Sequence, residues 1–436
     1  MTTGQSSLAA EESTSPSPVI DHVRTPVAAR VTFRRLAFLA KAAREAWLIF
    51  GMTIAIAVIG ESAYRIQAMV RRFIAGQPAI EAMHPYQRYS WFPAYLREQE
   101  TSARLRWRPY AYFRREPYTG NFINVDAQGH RRTVQPVVAT DSARPVFLFG
   151  GSTMFGSFQR DSFTIASRLA GQLRSLPAGD FTLTNFGESG YVFGQEVIEL
   201  ITQLKNGARP DVVVFYDGIN DVVAAVQRGE AGIPQNEMFR EADFDLGRTV
   251  HSWKTDPLTE ARVLMRVFGI VADRSQLLQK LRSFVPLRPH AQRDDDSLAR
   301  DVVRAYTANV DVVEALARGY GFRVMYVWQS SLHATRKKLT SYEQHLMSDI
   351  DSDDFQRRIK RIHKVVPPML DSAMSTHAPH RFVDQSSLFQ DDTLSVYVDE
   401  IGHATEQAVP AIANGIWNQL KELLPETAKH SSSISN

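Results

Sequence analysis

Ser152 follows two glycines in the segment Phe149-Gly150-Gly151-Ser152-Thr153, directly after the apolar run 146–149. A Ser at the end of a strand and the start of a helix exposes its hydroxyl. Its own N–H points the same way, at a helix N-terminus that favours developing negative charge. A Ser in such a place is most often only an N-cap, so the segment needs company. A phosphate-cradling loop is the rival, but no Gly-Lys-Ser/Thr follows and no GxGxxG is present. The second segment, Asn185-Phe186-Gly187-Glu188-Ser189-Gly190, has glycines that let a backbone approach a ligand or simply turn. The third, Asp217-Gly218-Ile219-Asn220-Asp221, offers an Asn amide that can face an oxyanion, in a composition that also favours turns. The last, Val398-Asp399-Glu400-Ile401-Gly402-His403, supplies a His. A neutral His needs an orienting carboxylate to act as base on a Ser hydroxyl, and Asp399 is close enough in sequence to provide one.

Each of these segments follows a stretch that reads as a strand or a short extended run. The predicted strands are residues 146–149, 181–185, 212–216, 322–328 and 381–383. Short, nearly continuous apolar runs suit strands buried on both faces of a parallel sheet. Helical patterns sit between them, as in 162–176 and 195–204. The alternation predicts a doubly wound α/β sandwich with a five-stranded parallel sheet, in which ligands bind outside the carboxyl ends of the strands. Ser152, Gly190 and Asn220 fall at those ends, and the His403 segment comes after the last strand. The pattern from Asp221 to Phe322 is mostly helical. Residues 222–300 are read as an insertion over the site and 301–319 as a helix covering the sheet.

The 436 residues allow one large domain plus extra segments; 44% apolar and 22% charged is ordinary globular composition. A net charge of only +3 does not point to nucleic acid. The absence of cysteine excludes disulfides, thiolate catalysis and cysteine-ligated metals. Residues 1–45 read as a disordered tail that becomes basic through Arg30, Arg34, Arg35, Lys41 and Arg44. The apolar run 46–60 (AWLIFGMTIAIAVIG) follows. It is short of the ~20 residues a spanning helix prefers. It is apolar all round, however, and its basic flank precedes it. A single-pass transmembrane anchor is therefore expected, with the N-terminus cytoplasmic and residues 61–436 outside; a cleaved signal peptide or a buried helix is the alternative. Residues 61–140, rich in aromatics and arginine, read as a connector packing on a main domain at 141–426, and 427–436 as a second disordered tail.

Taken together, the four segments resemble blocks I, II, III and V of the SGNH (GDSL-type) serine hydrolases. ESAYR after the apolar run, HPY, VWQSSL around Gln329 and KKLTSYE are similar to a bacterial subgroup of that family with an N-terminal membrane helix. The resemblance covers most of residues 61–424. It implies a flavodoxin-like α/β/α fold, an oxyanion hole of Ser152, Gly190 and Asn220, and a triad of Ser152, His403 and Asp399, with no metal and no cofactor. Two departures stand out. His403 lies four residues after Asp399, whereas the usual acid lies three before the His, the place of Glu400. Ala408-Val409-Pro410 also stands where the family carries Gly-Asn. Asp399 is favoured because it directly follows the run 394–398 and because Gly402 can absorb the extra residue; Glu400 remains the alternative. Gly151, Tyr191, Asp221 and Gln329 are candidate substrate contacts, and Phe193 is a further aromatic beside Gly190. The implied activity is hydrolysis of an acyl ester, with O-acylated cell-surface glycan as one candidate substrate. The alternatives are O-acetyl transfer to extracellular polysaccharide, or a membrane-tethered binding protein that keeps only the fold.

Overall fold

The computed structural model describes residues 84–135, 143–174, 181–238 and 293–424, with parts of 41–67 and of 240–244. The chain divides into two compact units, residues 1–70 with 275–277, and residues 71–274 with 278–436.

In the first unit the described residues between Lys41 and Gln67 are helical. Glu61 and Arg65 pair at 2.6 Å one turn apart. Among the described residues no helix is long and apolar enough to cross a membrane. The expected anchor at 46–60 falls partly outside those residues, since Ala46, Ile49, Phe50, Ile54 and Ala57 are not described. Most of the expected tail 1–45, and all of 427–436, also lie outside them.

The second unit is built on a sheet of five parallel strands: β5 (Arg144–Gly150), β6 (Phe181–Asn185), β7 (Val212–Asp217), β8 (Arg323–Trp328) and β9 (Phe382–Asp384). Their spatial order is β6-β5-β7-β8-β9. Side chains alternate across a strand, and here the alternation divides the core in two. Phe147, Phe149, Val213, Phe215, Tyr326 and Trp328 face one layer. Val146, Leu148, Val212, Val214, Met325 and Val327 face the other. The first layer is completed by helices α4 (Phe193–Lys205), α5 (Ile219–Arg228), α6 (Asp295–Tyr320) and α8 (Asp354–His377). The second is completed by α3 (Ile165–Leu173), α7 (Ser341–Ser352) and α9 (Val409–Leu423). This is the predicted α/β/α sandwich. Because β5 lies between β6 and β7, the chain reverses direction across the sheet at the carboxyl end of β5, where Ser152 stands.

The predicted insertion at 222–300 needs correction at both ends. Val222, Ala224, Ala225 and Val226 are buried core residues of α5, which runs on unbroken until Gly229 takes a left-handed φ of 74°. At the far end α6 begins at Asp295. Residues 245–292 lie outside the described residues.

The predicted connector has structure of its own. It forms α1 (Phe92–Thr101), an antiparallel hairpin of β1 (Leu105–Arg108) with β2 (Tyr112–Arg115), and a shorter one of β3 (Tyr118–Thr119) with β4 (Asn124–Val125). Tyr86, Phe92, Tyr95, Ile123 and Val125 bury together with Phe155 and Val398. Those last two residues belong to the Ser152 helix and to the segment that enters Asp399. The connector thus packs against both sides of the candidate site.

Candidate active site

Strand β5 ends in Gly150, Gly151 caps the next turn, and Ser152 opens the four-residue helix α2 (Ser152–Phe155). A Cβ at Gly151 would stand 2.2 Å from Asn220 Nδ2, so only Gly lets the amide of Asn220 lie against this backbone. Gly156 ends α2 at φ 92° and returns its N–H to the Ser152 carbonyl at 3.0 Å. Ser152 is 8% exposed.

His403 arrives from the other side. Its Nε2 is 2.7 Å from Ser152 Oγ, and its Nδ1 is 2.6 Å from Asp399 Oδ2. A carboxylate can only accept, so Nδ1 carries the proton and Nε2 is free to accept from the Ser hydroxyl. The four-residue turn from Asp399 to Gly402 is closed by Val398 N–H donating to the His403 carbonyl at 2.8 Å. Asp399 Oδ1 accepts the N–H groups of Gly402 (3.0 Å) and His403 (3.1 Å). Gly402 sits at φ 94°. This left-handed residue takes up the extra position between acid and base, so Asp399 and not Glu400 meets the imidazole. Phe158 covers the His403 ring at 5.6 Å between centroids.

The pair tunes itself. Burial raises the Asp399 pKa, but the His403 charge and hydrogen bonds outweigh it and leave the carboxyl below its ordinary value. Burial lowers the His403 pKa, and the Asp399 charge and hydrogen bond reverse this and leave it raised.

Asn220 is the second residue of α5 and is 9% exposed. Its Nδ2 donates to the Tyr191 carbonyl at 2.8 Å, and one further N–H remains. The N–H groups of Ser152 and Gly190 have no acceptor among the described residues. Gly190 takes φ 78°, a conformation suited to Gly, at the turn after β6. An arginine from the connector holds that turn. Arg115 Nε lies 3.3 Å from Glu188 Oε1, its backbone N–H donates to Oε2 at 2.9 Å, and its guanidinium donates to Ser189 Oγ at 2.8 Å.

The candidate substrate contacts fare differently. Gly151 lies at the site. Tyr191 is 1% exposed, and its hydroxyl donates to the Phe113 carbonyl. It serves through its backbone carbonyl on Asn220, and its ring lines nothing open. Phe193 is core, fully buried against Tyr306 at 4.6 Å. Gln329 is 3% exposed and packs behind the Asn220 turn, where its Cγ would lie 3.1 Å from a Cβ at Gly218. Asp221 turns inward: its Oδ1 accepts the Phe193 N–H at 3.2 Å. There it joins the buried Glu196 and Asp217. Burial first, then the neighbouring carboxyls, push the pKa of Glu196 and Asp217 well up, and burial takes Asp221 up to about 7. Sequence reasoning missed Arg115, Glu188 and Gln235, whose Nε2 donates to Asn220 Oδ1 at 3.0 Å. No local pattern marks any of the three; each acts across a fold-level contact. Among the described residues no cluster of side chains is suited to a metal ion.

No family model and no curated protein matches the chain. Among solved structures it is similar to a member of the lipolytic protein G-D-S-L family from Veillonella parvula DSM 2008, at 12% identity, covering 63% of this chain and 97% of that one, with a TM-score of 0.32. It is similar to the lipase/acylhydrolase from Enterococcus faecalis at 13% identity, covering 65% and 98%, with a TM-score of 0.34. It is also similar to Axe2, an acetylxylan esterase from Geobacillus stearothermophilus, at 13% identity, covering 65% and 96%, with a TM-score of 0.31. Likeness at these levels transfers no role to any residue, and the chemistry below rests on the geometry of this chain.

Proposed function

We propose that the protein is a serine hydrolase of acyl esters, with Ser152 as nucleophile, His403 as general base and Asp399 as its orienting acid. The observation that carries this is the unbroken hydrogen-bond chain from Asp399 through His403 to Ser152, ending beside unpartnered donors. His403 Nε2 takes the Ser152 proton as Oγ attacks the ester carbonyl. The oxyanion is held by the N–H groups of Ser152 and Gly190 and by the remaining Asn220 amide proton. The imidazolium then returns the proton to the leaving alcohol, and water repeats the sequence on the acyl-enzyme. Each such donor is worth about 3 kcal/mol of barrier. The four-residue spacing from Asp399 to His403 is accommodated by Gly402, so it lends no support to a binding protein that has lost catalysis. The substrate class we propose is an acyl ester, with O-acylated glycans among the candidates. We further propose that residues 46–60 tether the enzyme to a lipid bilayer with the hydrolase outside the cytoplasm; the all-round apolar run behind a basic flank supports this.

The test is turnover of a panel of acyl esters of graded chain length and of acetylated glycans by the purified chain. Hydrolysis is expected for at least one class, and Ser152→Ala is expected to abolish it while melting like the wild type. A Ser152→Ala variant with wild-type turnover would remove the nucleophile from the scheme.

A further inference from the structure

Gln235 lies on the short limb that leaves α5, half-buried against the candidate oxyanion hole. The Tyr191 carbonyl can only accept, so the nitrogen of Asn220 must face it. The Asn220 oxygen then faces the opposite way and can itself only accept, which sets the Gln235 amide nitrogen toward it at 3.0 Å. The other end of the same amide, Oε1, lies 3.8 Å from where a Cβ at Gly190 would stand. One side chain thus borders both backbone and side-chain donors of the site.

Gln235 is itself fixed. The Arg240 guanidinium donates to the Gln235 carbonyl and lies 2.8 Å from Glu237 Oε2. The same guanidinium stacks 4.2 Å over the Tyr112 ring in the β1–β2 hairpin, and the Tyr112 hydroxyl donates to Glu237 Oε1 at 3.2 Å. Asn236, left-handed at φ 59°, turns the chain back, and its N–H donates to Gln227 Oε1 of α5 at 3.0 Å.

We propose that Gln235 is a positioning residue for the oxyanion hole, clamped in place by an Arg240–Glu237–Tyr112 latch from the connector hairpin. The inference rests on the ester-hydrolase reading above. An amide bound at one end only can swing or turn over and present its oxygen to a developing oxyanion. Bound at both ends, the Asn220 amide has one orientation. Donation to its oxygen also polarises it and strengthens the remaining N–H as a donor. Because the oxyanion is fully formed only in the transition state, the effect belongs in kcat and not in KM.

The experiment measures kcat and KM at pH 8 for wild type, Gln235→Ala, Gln235→Glu, Arg240→Ala and the Gln235→Ala/Arg240→Ala double variant, with a melting curve for each. Gln235→Ala is expected to lower kcat about tenfold, the size of one hydrogen bond, with KM little changed. Gln235→Glu is expected to lose more than Gln235→Ala. A carboxylate cannot donate to the Asn220 oxygen and draws the amide nitrogen round instead. Arg240→Ala is expected to lower kcat by a smaller factor, and by none in the Gln235→Ala background. Turnover unchanged in Gln235→Ala, a loss confined to KM, or a Glu variant as active as wild type would overturn the proposal while leaving the triad untouched. A wild type without turnover on any ester would sink both together.

Discussion

In the proposed mechanism His403 must be neutral to accept a proton from Ser152, and Asp399 decides where that condition fails. Its pKa stands above the ordinary 6.5, so turnover is expected to fall as pH drops through that raised value. Asp399, held below 3.8, is ionised throughout the working range. Asp399→Asn is expected to cost about 10⁴-fold in kcat, because the amide favours the wrong imidazole tautomer. It is also expected to move the acid limb of the pH profile downward, since the charge that raises His403 is gone. Glu400→Gln is expected to change little. A pH series of kcat/KM for both variants checks this, and the reverse ranking would hand the acid role to Glu400. Ser152, Asn220 and His403 were legible from sequence because each is a reactive type at a strand end or in a turn. Tyr191 and Gln329 were misread for a physical reason: an aromatic or amide beside a site looks the same in sequence whether it faces the cleft or the core. Only burial tells them apart.

At the scale of elements, the strands were legible because apolar runs buried on both faces leave little ambiguity, and all five observed strands overlap the predicted runs over more than half of their length. The insertion boundary was not, because the apolar stripe of α5 continues past Asn220 with no breaker before Gly229. The Asp399–His403 turn leaves no room for a side chain at Gly402. At Gly402 a Cβ would meet the Leu332 N at 2.7 Å and the Ser331 Cα at 3.2 Å, and the backbone is left-handed besides. Gly402→Ala is expected to cost roughly 1–3 kcal/mol of stability from the strained backbone, and to lower turnover more steeply by displacing His403. Thermal melts and kinetics on the same preparation would check it. A variant with wild-type stability and turnover would mean that the turn does not need glycine.

For the whole molecule, the arginine-rich connector was legible as a packing segment but not as a scaffold of the site. Arg114, Arg115 and Arg131 are buried, which composition cannot announce, since arginine is usually exposed. Arg114 donates to the Phe186 carbonyl and Arg115 pairs with Glu188, both in the turn after β6, while Arg131 pairs with Asp161 in the short helical turn before α3. The proposed tether makes a separate prediction. Protease added to intact spheroplasts should digest residues 61–436, and protection until lysis would contradict the topology. The most direct measurement for the central claim uses the full-length chain. It is reacted with a fluorophosphonate probe and digested, and the adduct is located by mass spectrometry. A single stoichiometric adduct on Ser152, slowed by several powers of ten in His403→Ala, is the expected result. No adduct on the folded wild type, or one on another residue, would contradict Ser152 as the nucleophile.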